Sequence, residues 1–301
     1  MPRRKLRLPR GDGEALRAGF ARIRRELRLP TEFPPEVLAE AQAAARRLPA
    51  GEDRSDLPML TIDPPDSRDL DQAMYLKRRG RGYRVHYAIA DVAAFLAPGG
   101  PLDREAHARG LTLYAPDASI PLHPPVLSAG AASLLPGELR PALLWTLDLD
   151  ADGQLVATDV GRALVRSRER YDYETVSELL AAGRADERLL LLGEVGRLRE
   201  RHERERGAVT LPTPEQEVVE QDGGFALAYR APFDVEGWNA QISLLTGMAA
   251  AALMLAGQVG VLRTLPAAPP EAVERLRRTA DALGVPWPPE MSYAELLRAL
   301  D

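Results

Sequence analysis

Cysteine is absent from this chain of 301 residues. That lack removes disulfides and thiolate-held zinc together. The four histidines, His86, His107, His123 and His202, are scattered without a paired HExxH spacing, which speaks against a zinc enzyme. Aromatic residues make up only 5% of the chain, too few to suggest the sugar-binding cleft of a paired-carboxylate glycosidase. Lysine is nearly missing: of 39 basic residues only Lys5 and Lys77 are lysine, a bias that genome composition produces as readily as phosphate binding. A net charge of −5 means that the chain as a whole is no polycation, so any grip on nucleic acid must come from local basic surface. "KRRGRGYR" (77 to 84) and the first ten residues are such clusters, read most simply as a solvated turn and a frayed terminus. The opening residues lack the apolar core and small-residue cleavage site of a secretory signal, and the missing cysteines suit a reducing compartment, so a cytoplasmic location is expected.

What is present is enough apolar residue, 45%, to bury a substantial core. Leu16, Phe20, Ile23 and Leu27 recur at helical spacing, and "PPEVLAEAQAAARR" supplies a second helix, so residues 1–50 are expected to form a small helical appendage. Strand patterns follow in "MLTID", "AMYL" and "YRVHYAIADV", then two strands around a DADG turn in "PALLWTLDLDADGQLVATDVGRALV". Helices return with "YETVSELLAAG" and "RLLLLGEVGRLRERHERERG", whose charged C-terminal half reads as a solvated face. "TLPTPEQEVVEQDGGFALAYRAPF" interrupts with strand-and-turn character. The longest apolar run, 242–262, is alanine-rich and broken by Ser243, Thr246 and Gln258, which fits a buried core helix better than a membrane span. Near the end, Ser292 and Glu295 form a capping-box pattern before a helix of barely two turns, so the chain is expected to be a fragment of something longer.

"TIDPPDSRDLDQAMYL" places Asp63, Asp66, Asp69 and Asp71 within nine positions. Carboxylates at that density repel one another, and crowding them costs free energy unless cations neutralise them. Hard divalent ions such as Mg²⁺ or Mn²⁺ suit carboxylate oxygen, and magnesium in particular completes its shell with water and substrate phosphate. A plain polar turn is the bland alternative. A calcium loop of the EF-hand type is opposed by Pro65, Arg68 and Met74 at positions where that motif needs ligands or glycine.

This loop resembles the signature of the ribonuclease II family, the RNB-domain 3′→5′ exoribonucleases, in which a strand and an aspartate precede five variable residues and Asp-Leu-Asp-Asp. Here the series runs Thr61-Ile62-Asp63, five residues, then Asp69-Leu70-Asp71-Gln72. The likeness continues in order through "VHYAIADVAAFL", "PLDREAHARGLTLYAPDASIPLHPPVLSAGAASLLPGELRPAL", "YDYETV" and "RERGAVTL", covering roughly residues 51–260. It implies a mixed α/β catalytic domain over 51–265, with a mixed sheet and long helices, and the start of a C-terminal helical part over 266–301.

The same resemblance implies a magnesium-dependent enzyme, with manganese as a substitute, that degrades single-stranded RNA processively to nucleoside 5′-monophosphates by two-metal hydrolysis. Asp63, Asp69, Asp71 and Gln72 would be the metal ligands, with Asp69 and Asp71 central to catalysis. Tyr114 and Tyr173 fall where the family stacks aromatics on the 3′-terminal bases, a sequence-tolerant contact because every base has a π-face. Glu236 and Asn239 both lie near the family's ribose-touching glutamate, and the register between them stays open.

The sequence also departs from the pattern. Gln72 stands where the family has a fourth aspartate, which weakens the case for a second metal, and the family's catalytic arginine has no counterpart before Asp301. A catalytically impaired RNA-binding protein is therefore the rival expectation, with a small-phosphate hydrolase behind it.

Overall fold

Strand β2 (Met59–Ile62), β3 (Gln72–Arg79), β4 (Gly82–Ala90), β7 (Leu139–Leu149) and β8 (Leu155–Tyr171) carry the central sheet, with the two-residue β1 (Glu52–Asp53) on its edge. The computed structural model describes residues 13–208, 215–221, 224–264 and 266–300. The basic first ten residues, Val209 to Leu211 of "RERGAVTL" and residues 212–214 of the strand-and-turn stretch lie outside them. Long β8 pairs antiparallel with β7 over its first part, from Leu155 opposite Leu149 to Arg166 opposite Leu139. Its last part runs parallel to β2, Tyr171 opposite Ile62. Since β2–β3, β3–β4 and β4–β7 pair antiparallel, the pairings form a closed circuit of mixed direction.

Alternation along each strand sorts side chains by size. Met74, Leu76, Tyr83, Val85, Tyr87, Trp145 and Leu147 face the helices, while Ala73, Ala88, Ala142 and Ala163 gather with Met59, Leu70 and Leu134 on the other side. Small residues are what a tightly curved sheet admits on its concave side. Against the large-residue face pack α4 (Tyr173–Ala181), α5 (Glu187–Glu205) and α6 (Asp234–Gly257). Gly196 of α5 lets α6 approach so closely that an added Cβ would sit 2.4 Å from Trp238 Cβ.

The DADG turn forms as expected: Asp150 Oδ1 accepts from the amides of Asp152 (3.0 Å) and Gln154 (2.9 Å). Gly153 takes a φ of +83°, available to glycine at little cost. The alanine-rich run starts in α6, which has the length and composition to cross a membrane, and passes its end at Gly257. Ile242, Leu245 and Ala249 are buried in the core, but Leu253, Leu255, Val259 and Val261 are exposed. The expectation of a buried helix therefore holds for its first half and is corrected for its second, which extends beyond the packed helices and sheet. The expectation of a solvated C-terminal half for α5 is corrected at two positions. Arg199, 3% exposed, donates to Gly153 O (3.0 Å), and His202 is buried against Asp152 O (2.9 Å), because the β7–β8 turn folds over that face.

α1 (Gly13–Glu26) touches the second hairpin through Phe20 edge-on to Phe225 of β10 (Gly224–Arg230), which pairs with β9 (Glu215–Gln221). α2 (Pro35–Ala45) buries Val37, Ala41 and Ala44 against Phe95, Leu102 of α3 (Pro101–Arg109), Leu127 and Ala132. Strands β5 (Leu113–Ala115) and β6 (Ala118–Ile120) make a short ribbon of their own. The chain closes with α7 (Pro270–Ala282) and α8 (Tyr293–Ala299), where the capping box forms: Ser292 Oγ accepts from Glu295 N, and Glu295 Oε2 from Ser292 N.

Candidate functional site

The acidic loop bridges β2 and β3, and each end is fixed by the sheet. Asp63 N donates to Tyr171 O (3.1 Å), prolonging the β2–β8 pairing by one residue before Pro64 and Pro65 end it. Arg170 Nη2 reaches across to the carbonyls of Pro64 (3.2 Å) and Pro65 (2.6 Å). At the other end Leu70 is fully buried, Leu70 N donates to Ser133 Oγ (2.9 Å), and Leu134 N donates to Leu70 O (2.9 Å). Ser133 Oγ in turn donates to Arg68 O (2.9 Å). With Leu70 turned inward, its neighbours Asp69 and Asp71 are turned out and exposed. Burying Leu70 contributes roughly 1.5–3 kcal/mol, which favours the turn that presents both carboxylates.

Asp63 is half-buried, and its pKa is pushed up to about 6, chiefly by desolvation, with Asp71 and Asp69 adding to the rise and Arg170 opposing it. Its Oδ2 atom is buried with no partner at hydrogen-bond distance, while the neighbouring Thr61 hydroxyl, likewise unpartnered, pulls the Asp63 pKa down. Asp71 keeps solvent-accessible surface, yet desolvation by the surrounding protein and the charge of Asp69 raise its pKa too. A carboxylate oxygen without a partner, on a group whose pKa Asp71 and Asp69 raise, is the kind of donor a hard divalent cation takes, with water and phosphate completing the shell. Among the described residues no three or more aspartate, glutamate or histidine side chains are grouped closely enough to hold a metal ion between them. Gln72, at the start of β3, has its amide oxygen engaged by the Tyr87 hydroxyl.

The second group of expected residues comes together on the helix side. β8 ends beside β2, and Asp172, whose carboxylate accepts from Thr175 N (2.7 Å), starts α4 there, so that Tyr173 opens the helix near Asp63. Asn239 Nδ2 donates to Tyr173 Oη (3.1 Å). Burial raises the Tyr173 pKa most, the Asn239 hydrogen bond opposes it, and the charges of Asp63 and Glu236 add to it. Glu236 is otherwise occupied: its carboxylate accepts from Phe233 N (2.8 Å) as a helix cap and from the Arg230 guanidinium. Of the two register candidates, Asn239 is the one that touches Tyr173.

Tyr114 stands on the β5–β6 ribbon, 77% exposed, over a cleft of about 520 Å³ that Pro64, Ser67, Arg68 and Asp69 line from the opposite side. Its pKa is raised by burial first and then by Asp69 and Asp71. Tyr114 thus senses one side of the acidic loop and Tyr173 the other.

Several residues that sequence reasoning passed over support this arrangement: Ser133, Arg170 and Tyr87. Tyr87 is buried, and its pKa is pushed up to about 12 mainly by desolvation, with Ser243 opposing the rise and Tyr173 and Asp63 adding to it. Only an inward parity count on β4 could have pointed to it.

The sequence model of the RNB domain matches residues 52–296. Ribonuclease R of Acidithiobacillus ferrooxidans is 39% identical over 158 residues, which is 51% of this chain and 36% of that protein. Ribonuclease R of Aquifex aeolicus is 31% identical over 216 residues, 67% of this chain and 31% of that protein. Among solved structures, Mycoplasma genitalium RNase R in complex with ribose-methylated single-stranded RNA superposes with a TM-score of 0.83 at 20% identity, covering 93% of this chain and 47% of that one. The aligned part therefore spans less than half the length of each of these relatives.

Proposed function

The chain belongs to the RNB domain family, and from that premise we propose that it serves a magnesium-dependent 3′→5′ exoribonuclease acting on single-stranded RNA. The observation that carries the reading is Asp63, a half-buried carboxylate with an orphaned oxygen and two more aspartates within electrostatic reach. Its ribonuclease-named relatives, and the RNA bound by the Mycoplasma structure, support the substrate class.

Asp63, Asp69 and Asp71 would hold the metal, with Gln72 the weaker contributor since Tyr87 already engages its amide oxygen. Magnesium, when bound, supplies Lewis acidity at the scissile phosphate and lowers the pKa of attacking water. The remaining work belongs to the chain. Tyr173, oriented by Asn239, would stack on a terminal base next to Asp63, and Tyr114 would stack further along the strand across the cleft. Stacking positions any base against the carboxylates, which suits an enzyme that shortens RNA stepwise to nucleoside 5′-monophosphates.

A second reading, an RNB-fold RNA binder with impaired catalysis, draws on the engaged Gln72 and on the absence of a preformed cage among the described residues. Incubating the protein with 5′-labelled single-stranded RNA, in Mg²⁺ or in EDTA, separates the two. Stepwise shortening in Mg²⁺ alone, abolished in Asp71→Asn with RNA binding retained, supports the enzyme. A gel shift without shortening at protein excess supports the binder.

A further inference from the structure

The ribbon that carries Tyr114 has three residues per strand and buries only Ile120 of its six. A two-stranded ribbon of that size does not hold itself in water. Its position must come from outside, and the structure shows two tethers. At the tip, the turn residue Asp117 receives a bidentate pair from Arg24 of α1, Nη1 to Oδ1 at 2.7 Å and Nη2 to Oδ2 at 2.9 Å. Both side chains are largely withdrawn from solvent, 19% and 11% exposed. At the base, Arg109 Nη1 donates to Pro121 O (3.2 Å) and to Pro30 O (2.8 Å), Nη2 donates to Glu32 O (2.6 Å), and the guanidinium lies 3.7 Å from the centre of the Phe33 ring.

Each tether runs to the segment ahead of the sheet: α1 for Arg24, the α1–α2 connection for Arg109. A planar, two-point guanidinium–carboxylate contact fixes orientation as well as distance. Fixing the Pro116–Asp117 turn therefore fixes the ring two residues before it, which overhangs the cleft beside Asp69.

We propose that the Arg24–Asp117 pair is a positioning device for Tyr114: through it, the N-terminal helix sets how the ribbon clamps a single-stranded RNA entering the acidic cleft. The inference rests on the RNA reading above. Arg24 and Asp117 touch no reacting atoms in it; they act through the ring.

The test uses the full protein and the variants Arg24→Ala, Asp117→Ala, Tyr114→Ala, Tyr114→Ala with Asp117→Ala, and the exchanged pair Arg24→Asp with Asp117→Arg. Binding of a fluorescent single-stranded oligoribonucleotide and KM and kcat for its shortening are measured, with amide exchange over 113–120. Asp117→Ala should weaken binding and raise KM roughly three- to tenfold, leave kcat within about twofold, and speed exchange in the ribbon. It should add nothing in the Tyr114→Ala background, since the pair acts only through that ring. The exchanged pair should recover much of the affinity.

Unchanged binding in Asp117→Ala, or a loss that simply adds to that of Tyr114→Ala, overturns the proposal. A wild-type protein that binds RNA without shortening it sinks the exonuclease reading, yet the binding and exchange measurements still decide this one. A protein that binds no RNA ends both.

Discussion

Asn239 on α6 hands a hydrogen bond to the hydroxyl of Tyr173 at the first turn of α4, 66 residues away in sequence. The bond joins two helices at the point where the β2–β8 pairing delivers Asp63, so one amide links the core helix to the edge of the acidic loop. Asn239→Ala should leave the ring present but free to rotate. The expected result is a KM for oligoribonucleotides raised several-fold with kcat nearly unchanged, and a larger KM effect for Tyr173→Ala, where the stacking face itself, worth about 1–3 kcal/mol per base, is gone. Steady-state kinetics on a defined single-stranded substrate checks both.

Asp63 gives a pH signature. Folded, it keeps its proton up to about pH 6, whereas unfolded it releases it near its ordinary value of 3.8. The native state thus binds more protons between those values, so ionised Asp63 costs stability above pH 6, and the cost is relieved as the pH falls toward 3.8. In EDTA, Asp63→Asn should melt higher than wild type at pH 8, by roughly 1–2 kcal/mol after allowing for solvent screening. The advantage should vanish below about pH 4. Magnesium should close the gap at pH 8 by stabilising only the wild type. Thermal melts across pH, with and without the ion, measure all three.

Ser133 is expected to matter out of proportion to its size. Ser133→Ala leaves the Leu70 amide without its partner, a loss of about 1–3 kcal/mol, and frees the segment between Asp69 and Asp71. Lower stability by that amount, together with weaker Mg²⁺ activation, is the predicted outcome. A stability loss with the metal dependence of activity untouched would show that the loop is held elsewhere.

Gly196→Ala should strain the α5–α6 contact, because the new Cβ would collide with Cβ and Cγ of Trp238, at 2.4 and 2.5 Å. Overpacking of this kind costs about 1–3 kcal/mol. Denaturant unfolding should show the loss. Gly247→Ala, in the same helix pair but with nothing within 4 Å of its added methyl, should show little.

Some of this was legible in the residues alone. The alternation in "YRVHYAIADV" announced β4, the Asp150-to-Gly153 turn announced the β7–β8 hairpin, and Ser292 with Glu295 announced the start of α8. Each depends on contacts within a few positions, so the local sequence specifies it. The density of aspartates around Leu70 likewise marked where negative charge gathers on the chain.

Contacts between distant segments were not legible. Nothing near Arg199 in sequence indicated that the β7–β8 turn would cover it, and nothing in the charged run around it distinguished that arginine from its solvated neighbours. Nor did the chain reveal that Ser133 would hold Leu70, that Asn239 rather than Glu236 would meet Tyr173, or that α1 would grip the Tyr114 ribbon. By itself the sequence determined the main strands, the Ser292 cap and the place of the negative charge, because periodicity and turn chemistry act over short spans. It missed the β5–β6 ribbon, and the stretch 77–84 that it offered as a solvated turn lies mostly in β3 and β4 with Tyr83 buried. Only the closed circuit of strands and the helices packed on it decided which carboxylate is buried and which side chains surround it, since burial and hydrogen-bond partners belong to the packed chain and not to any stretch of it.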